Sequence, residues 1–425
     1  MNEELAIFGG LKSIPKEFAH YQHIGKEEIS AAVEVLESGN LSQFLASWGP
    51  DFFGGPKVQE FEMACAEFFG VGHAITVNSW TSGLVAAVGA VGVGPGDEVI
   101  VPTWTMAASA TAVLHWSGIP VFADIDEESF CMSLESVKRL ITSRTVAIIV
   151  VDIFGQSADI IPIVQLAREL GIKVICDTAQ APGALVGNRL AGTLGDIGGI
   201  SLNYHKHIHT GEGGVLFTDD AELADRMRLI RNHAEAVVGE KGHERLDNMV
   251  GHNFRMGEIE SAIGIQQLKK LPGLVQQRQS VALRLREGLT GLEGLKLPSV
   301  REGFTHAFYV FGMILEGQPL EIGRARIVEA LQAEGVDGLM SGYTNIHLLP
   351  IYQTKIAFGK DGFPWTSSYC DNEVSYAKGI CPVSERLQDS SFLGLEFCRF
   401  EYQPHEVEQL ILAFQKVWSN LEKLA

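Results

Sequence analysis

Between about residues 58 and 235 the chain alternates short apolar runs with amphipathic stretches, and this alternation constrains the fold most strongly. Runs with the length and composition of strands are HAITVNSW, EVIVPTW, PVFADID, VAIIVVDIFG and IKVICDTAQ. Helical stretches such as MAASATAVLHWSG and DIIPIVQLARELG separate them. Continuous apolar strands flanked by helices are typical of a mostly parallel sheet covered on both faces. We therefore expect an α/β fold.

The sequence divides into three regions. Residues 51–290 are expected to form a large domain, in which ISLNYHK and GGVLFTDD are two further strands around a glycine-rich turn. The pattern then changes, and residues 291–425 are expected to form a smaller α+β domain. Residues 1–50 are expected to pack on this small domain or on a partner subunit. A Gly/Pro/aromatic segment at 338–372 interrupts the small domain, and segments this long are usually functional or disordered.

Charge and cysteine usage narrow the classes of function. The net charge is −19, from 52 acidic and 33 basic residues without a basic run, so the surface repels nucleic acid and anionic lipid. No apolar run reaches the roughly 20 residues of a membrane helix, and the first residues lack the apolar core of a secretion signal. The six cysteines form no CxxC pair, which suits a reducing compartment. We expect a cytoplasmic protein that binds neither nucleic acid nor membrane.

The turn Asn78-Ser79-Trp80-Thr81-Ser82-Gly83 joins a strand end to a helix start. Backbone N–H groups at a helix N-terminus, together with two hydroxyls, form an anion site that suits a phosphate. Serine and threonine are also ordinary N-cap residues, so this turn alone does not decide between the two interpretations.

Asp177 follows the apolar strand IKVIC. An acid at the carboxyl edge of a parallel sheet lies where open α/β folds bind ligands. A carboxylate there is suited to hold a pyridine nitrogen protonated, which keeps such a ring a strong electron sink. A second interpretation, as a helix N-cap, fits the position equally well.

Lys206 lies between a strand and a glycine turn, in the run Ser201-Leu202-Asn203-Tyr204-His205-Lys206-His207-Ile208-His209. Burial among cationic neighbours lowers the pKa of a lysine, so Lys206 is a candidate Schiff-base amine. The alternating histidines His205, His207 and His209 raise the alternative of a metal site. Since no nearby cysteine or carboxylate pair completes a ligand set, we expect no metal.

Together with Gly251-His252-Asn253-Phe254-Arg255-Met256, these segments resemble the DegT/DnrJ/EryC1 family of sugar aminotransferases. The family lies within the aspartate aminotransferase superfamily, and the likeness covers about residues 55–290. Further matching pieces are FGGPKVQEFE, GVGPGDEVIVPTWT, DIFGQSAD, DTAQAPGA and HNFRMGEIESAIG. The resemblance implies the fold of type I pyridoxal-phosphate (PLP) dependent transferases, with a seven-stranded, mostly parallel sheet between helices.

The resemblance also implies roles for individual positions. Lys206 matches the lysine that carries the cofactor as an imine, and Asp177 the acid that pairs with the pyridine nitrogen. Gln180 matches a contact of the ring hydroxyl. Phosphate contacts are implied for Thr81, Ser82, Ser201 and Asn253. Because the neighbouring subunit usually contributes the residue that Asn253 matches, a homodimer with shared active sites is expected.

The chain departs from the family pattern at two places. Met106 occupies the position where an aromatic residue usually stacks on the cofactor ring, and Trp104 lies two residues earlier. Either Met106 covers the ring by a sulfur–aromatic contact or Trp104 replaces it. Trp80 and Gly83 replace the commoner small residue and alanine of the phosphate turn. Trp80 is expected near the phosphate or the subunit interface, or as a packing residue.

The implied reaction moves an amino group from glutamate or glutamine to a keto-sugar, through pyridoxal and then pyridoxamine phosphate. The keto-sugar is either nucleotide-linked or a keto-cyclitol. Expected substrate contacts are Arg255, His347 and Tyr352, although the segment around the last two also fits a packed aromatic loop. Two alternatives are a pyridoxamine-phosphate-dependent sugar dehydratase, whose relatives carry histidine at the position of Lys206, and a non-catalytic regulator that retains the fold.

Overall fold

The computed structural model describes residues 4–370 and 373–425. Its strands are β1 (His73–Val77), β2 (Glu98–Pro102), β3 (Ile119–Ala123), β4 (Thr145–Val151), β5 (Lys173–Asp177), β6 (Leu185–Val186), β7 (Arg189–Leu190), β8 (Ile197–Ser201), β9 (Gly214–Thr218), β10 (Leu295–Lys296), β11 (Val310–Leu315), β12 (Leu339–Met340) and β13 (Phe392–Glu396). Seven of them form one large sheet, in the order β1-β9-β8-β5-β4-β2-β3.

The large sheet is mostly parallel. Strand β2 pairs in parallel with β3 and β4, β4 with β5, and β5 with β8. Strand β9 alone runs against its neighbours β1 and β8. Strands buried on both faces need apolar side chains at nearly every position, which is why β4 reads TVAIIVV. The prediction of a seven-stranded, mostly parallel sheet is confirmed.

Helices cover both faces of this sheet and continue into the second half of the chain. They are α1 (Lys26–Ser38), α2 (Pro56–Phe69), α3 (Trp80–Val91), α4 (Ala108–His115), α5 (Leu134–Leu140), α6 (Ile160–Leu170), α7 (Ala221–Arg231), α8 (Ala234–Lys241), α9 (Glu258–Leu289), α10 (Gly317–Ile322), α11 (Arg324–Ala333), α12 (Pro350–Thr354), α13 (Pro382–Arg386) and α14 (Pro404–Trp418). The parallel strands direct their carboxyl ends to one edge, where Asp177 lies opposite Val151 and Gly199.

A second, antiparallel sheet of four strands, β10-β11-β13-β12, forms the small α+β unit. Its core includes β11, β13, α11, α14 and the last turns of α9. The N-terminal segment contributes Leu5, Ile14 and Phe18 to this core. The buried Glu334 carboxylate accepts the backbone N–H groups of Ala6 and Ser13 at 2.8 and 3.0 Å. The segment thus packs on the small sheet, while the domain boundaries after residues 50 and 290 stay predictions.

The segment 338–372 contributes β12 to the small sheet, and its later described residues, up to residue 370, pack on the large sheet. Ile346, Tyr352 and Trp365 belong to the same core as the parallel strands. Within residues 4–370 and 373–425, no helix is both long and apolar enough to cross a membrane.

His306 lies at the junction between the two sheets. It forms an isolated bridge with Gln156, and its Nδ1 accepts the backbone N–H of Phe308 at 2.8 Å. An accepting ring nitrogen must be unprotonated, so protonation breaks this hydrogen bond. Burial lowers the pKa of His306 to about 3.

This buried histidine is expected to make the fold sensitive to acid. Below its ordinary pKa of about 6.5, His306 binds a proton in the unfolded chain but not in the folded one. The free energy of unfolding is therefore at its full value above that pH. It decreases as the pH falls, by about 2 kcal/mol at pH 5. Urea unfolding near pH 8 and pH 5 measures this loss. His306→Asn keeps an acceptor without a titrating ring and should reduce the acid dependence, whereas the exposed control His405→Asn should not. Equal acid dependence in wild type and His306→Asn contradicts the prediction.

Candidate active site

The turn after β1 begins helix α3 and opens into a cavity of about 190 Å³, called here the site cavity. Ser79 is the N-cap of α3, because its hydroxyl accepts the N–H of Ser82 at 3.1 Å. The Ser82 hydroxyl donates to Asn78 Oδ1 at 2.7 Å, so it is engaged within the turn. Thr81 is exposed and lines the cavity together with Ser79. A helix N-terminus with an exposed hydroxyl beside it, here that of Thr81, suits an anion.

Asp177 lies at the end of β5, and its carboxylate is buried in the wall of the site cavity. Trp80 Nε1 donates to Oδ1 at 2.6 Å and the Ser109 hydroxyl donates to Oδ2 at 2.8 Å. The N–H of Ala179 reaches Oδ1 at 3.3 Å, as in a capping interaction. Burial raises the pKa of Asp177, while the hydrogen bonds from Ser109 and Trp80 and the charge of Lys206 lower it.

Lys206 follows β8, which ends at Ser201 rather than continuing through the predicted strand ISLNYHK. The chain turns there, since the N–H of Lys206 donates to Asn203 O at 2.9 Å. The side chain is buried, with Nζ 4.5 Å from the ring centroid of Tyr309. Burial lowers the pKa of Lys206 to about 8, although the charge of the Asp177 carboxylate acts to raise it. An amine with this pKa spends part of its time unprotonated and nucleophilic at neutral pH.

The histidines around Lys206 do not share one strand face. His205 is exposed and lines the site cavity, and its partial removal from solvent lowers its pKa to about 4. His207 is buried and its Nε2 contacts Ala307 O at 2.9 Å. Among residues 4–370 and 373–425, no group of three or more His, Cys, Asp or Glu is arranged to hold a metal ion.

Met106 and Trp104 have different surroundings. Met106 is 56% exposed and lines the site cavity. Trp104 is fully buried among Phe130, Phe154 and Phe392, and its indole N–H donates to Gln388 Oε1 at 2.9 Å. Of the two residues, therefore, it is Met106 that borders the cavity.

Two further predicted residues line the site cavity. Gln180 is buried, with Oε1 accepting the N–H of Phe154 at 2.8 Å and Nε2 donating to the Tyr343 hydroxyl at 3.2 Å. Ser201, at the end of β8, is buried beside it. Because Tyr343 belongs to the segment 338–372, this contact connects the segment to the site.

Asn253 and Arg255 lie beside the turn but outside the site cavity of their own chain. Asn253 is exposed, and its carbonyl accepts the side-chain amide of Asn78 at 3.3 Å. Arg255 Nε donates to Asn253 Oδ1 at 2.7 Å. The exposed Asn253 amide is thus held close to the turn before α3 without entering the cavity.

His347 and Tyr352 are fully buried and do not line the site cavity. His347 lies between the Thr103 hydroxyl, 2.5 Å from Nδ1, and Glu385 Oε1, 3.1 Å from Nε2. Tyr352 packs edge-on against Phe122 at 5.0 Å. These contacts attach the segment 338–372 to the large sheet, as in a packed aromatic loop, so we do not extend the expected substrate role to either residue.

Sequence reasoning missed three contacts at the site: Ser109 and Trp80 at Asp177, and Tyr309 beneath Lys206. Ser109 and Tyr309 carry no local signal, because each meets its partner only through tertiary packing. Trp80 does carry a signal in the sequence, because it is a bulky residue in a turn whose facing strands have glycine at 199 and 214.

The parallel sheet, the buried lysine and the buried carboxylate at its carboxyl edge define the class of fold-type I transferases that use PLP. The chain belongs to the DegT/DnrJ/EryC1/StrS aminotransferase family, whose sequence profile matches residues 22–382. The family resemblance, the fold class and the assignment as an aminotransferase are thereby confirmed. The family implies PLP as the cofactor.

Individual relatives agree with this membership. The chain is 33% identical over 99% of its length, and 99% of the relative's, to L-glutamine:2-deoxy-scyllo-inosose aminotransferase of Micromonospora echinospora. It is 34% identical, over 87% and 89%, to UDP-N-acetyl-3-dehydro-α-D-glucosamine 3-aminotransferase of Acidithiobacillus ferrooxidans. The aminotransferase structure from Psychrobacter cryohalolentis superposes with a TM-score of 0.80 at 27% identity, over 96% and 100% of the two chains.

Proposed function

We propose that the chain transfers an amino group from glutamate or glutamine to a keto-cyclitol, with Lys206 carrying PLP. The observation that carries the cofactor role is that the buried side chains of Lys206 and Asp177 line the same cavity. Bound PLP supplies an aldehyde for imine formation and a ring that accepts electrons. The residues of the cavity fit such a group: a nucleophilic amine, a carboxylate for the ring nitrogen, and a helix N-terminus for the phosphate.

Each residue then has a task in the reaction. Thr81 and Ser201 would hold the phosphate with the first N–H groups of α3, while Gln180 would contact the ring hydroxyl. Asp177 would bind the protonated ring nitrogen. Met106 would lie beside the ring. The Lys206 amine would carry the cofactor and, when free, would act as the base that takes up and returns a proton, and such a base contributes typically about 10²–10⁴-fold to a rate.

A second cavity of about 580 Å³, which shares His205 with the site cavity, supports the proposed substrate class. Its lining includes one arginine, Arg399, which already forms ion pairs with Asp337 and Glu396 at 3.4 and 3.5 Å. Glu396 itself lines the cavity, and His205 is neutral at pH 7 because its partial removal from solvent lowers its pKa to about 4. A diphosphate requires unpaired cations, so this lining favours an uncharged polyol ketone over a nucleotide-linked sugar.

Titration of the pyridoxamine-phosphate form of the protein with ketones tests this proposal. The return of the PLP absorption measures the reaction. We expect 2-deoxy-scyllo-inosose and scyllo-inosose to react. UDP-N-acetyl-3-dehydro-α-D-glucosamine serves as the nucleotide-linked comparison. A faster reaction with the nucleotide-linked ketone overturns the substrate proposal and leaves amino transfer intact, whereas no reaction with any ketone overturns both.

We further propose a cytoplasmic homodimer in which each subunit supplies Asn253 to the other's site. Helix α1 supports an interface, since Ile29, Val33 and Leu36 form an exposed apolar stripe at helical spacing. The exposed Asn253 amide, beside the phosphate turn but outside its own cavity, supports the sharing. The cysteine spacing supports a reducing compartment.

Hybrid dimers test whether each subunit supplies Asn253 to the site of the other subunit. Lys206→Ala and Asn253→Ala homodimers are both expected to be strongly impaired. After the two are unfolded together and refolded, mixed dimers contain one site with both residues intact if Asn253 acts across the interface. Random pairing should then restore about one quarter of the wild-type sites. If Asn253 acts within its own subunit, mixing restores no activity.

A further inference from the structure

Trp80 is the first residue of α3, and its side chain is buried beneath the site cavity. The indole Nε1 donates to Asp177 Oδ1 at 2.6 Å. At the other carboxylate oxygen, the Ser109 hydroxyl donates to Oδ2 at 2.8 Å. Each oxygen of Asp177 therefore has a side-chain donor from a different helix, α3 or α4.

The space for the indole is provided by glycines. A Cβ at Gly199 would lie 2.2 Å from Trp80 Cζ3, and one at Gly83 would lie 2.8 Å from Cε3. A Cβ at Gly214 would lie 2.9 Å from the Trp80 backbone. Gly199 on β8 and Gly83 on α3 therefore leave room for the indole ring, while Gly214 on β9 leaves room for the Trp80 backbone. The position of Trp80 is thus determined by its surroundings.

This arrangement has a consequence for the carboxylate. Hydrogen bonds to a charged acceptor are stronger than those between neutral groups, and they favour the ionised form. Two donors, one at each oxygen, also restrict the rotation of the carboxylate plane. Without Trp80, burial would act on Asp177 with less opposition, and its pKa would rise further.

We propose that the indole N–H of Trp80 is a positioning group for amino transfer: with Ser109, it keeps the Asp177 carboxylate ionised and oriented toward the pyridine nitrogen. The inference rests on the proposed cofactor role of Asp177. Trp80 acts through the carboxylate and is not itself a catalytic residue.

Other titratable groups also face Asp177. Lys206 interacts with it across the cavity, Asp152 lies at the end of the adjacent strand β4, and Tyr343 approaches from the segment 338–372. Cys176, which carries a thiol, is the residue before Asp177 in β5. These groups are the same in wild type and in a Trp80 variant. A difference in pH dependence between the two proteins therefore reports the indole N–H.

The test compares two variants that each lose a buried indole donor. Trp80→Phe removes the donor to Asp177. Trp116→Phe is the control, because Trp116 is also buried, its indole N–H donates to Val85 O at 2.8 Å, and Gly89 makes room for its ring. Ser109→Ala removes the donor to the other oxygen. Apoprotein is titrated with PLP, and the dissociation constant is measured between about pH 5 and pH 8.

We expect Trp80→Phe to bind PLP about tenfold more weakly, the usual effect of losing one hydrogen bond to a charged group. Ser109→Ala should also weaken the binding of PLP. In Trp80→Phe, the affinity should begin to fall at a higher pH as the solution is acidified, since the carboxylate is protonated sooner. Trp116→Phe should match wild type in both respects. A role in packing alone would not move the pH profile.

Affinity and pH profile equal to wild type in a folded Trp80→Phe protein overturn the inference. If Trp80→Phe does not fold, the sulfur analogue of tryptophan, β-(3-benzothienyl)alanine, incorporated at position 80 keeps the shape and removes only the N–H donor. The same two outcomes then apply. If wild type itself binds no PLP, the proposed function fails, which is a different result from binding that is insensitive to Trp80.

Discussion

Replacing Lys206 with alanine is expected to lower the turnover number by about 10²–10⁴-fold or more, because the variant loses both the imine-forming amine and the base that moves the proton. Steady-state amino transfer measures the loss. Borohydride reduction of the holoenzyme followed by mass spectrometry gives an independent readout, since it fixes cofactor to wild type and should fix none to Lys206→Ala.

Lys173→Ala is the matched control for this prediction. Lys173 begins β5, at the end of the strand opposite Asp177, and its ammonium pairs with Asp196 at 2.8 Å. This variant should keep the turnover and the reducible cofactor link. A Lys206→Ala protein that retains most of its activity, or that still becomes labelled on reduction, contradicts the assignment of Lys206.

Asp177→Asn is expected to lower turnover by on the order of 10²–10³-fold, since breaking a buried hydrogen-bonded charge pair costs roughly 2–5 kcal/mol. The amide keeps the shape of the side chain, but it cannot balance the positive charge of a protonated ring nitrogen. Unlike Lys206→Ala, this variant should still be labelled by borohydride, because the lysine remains. Activity and reductive labelling together therefore separate the two roles.

The control for Asp177 is Asp196→Asn. Asp196 lies near the opposite end of β5, where it accepts the N–H of Val174 at 2.8 Å and pairs with Lys173. Its replacement should leave turnover nearly unchanged. If Asp177→Asn has wild-type turnover, the carboxylate is not required to hold the ring nitrogen protonated.

The parallel sheet was predictable because its strands are buried on both faces, so each is a continuous apolar run that helices separate. The ends of elements were less predictable. The sequence predicts one strand over HAITVNSW, but β1 ends at Val77, since the following residues form the N-cap of α3. It likewise predicts a strand over ISLNYHK, and that prediction is wrong beyond Ser201.

Within the site, residues that follow a strand or begin a helix could be predicted from local pattern. Asp177, Ser201 and Thr81 are of this kind, and the structure brings all three to one cavity. Local pattern could not show which of Met106 and Trp104 borders the cavity. The two residues are only two positions apart, and their side chains are directed by how the following helix packs. It could not foresee that His347 is enclosed by Thr103 and Glu385, residues distant in sequence.

The packing of the N-terminal segment determines when the protein can finish folding. Ala6 donates its N–H to Glu334, 328 positions later, and Lys416 donates to Leu11 O across 405 positions. On the ribosome, the first residues therefore emerge long before their binding surface exists. The large sheet can form while Leu5, Ile14 and Phe18 remain without a core, and these residues become buried only after synthesis of α14. This segment, although made early, is thus among the last to be protected from solvent.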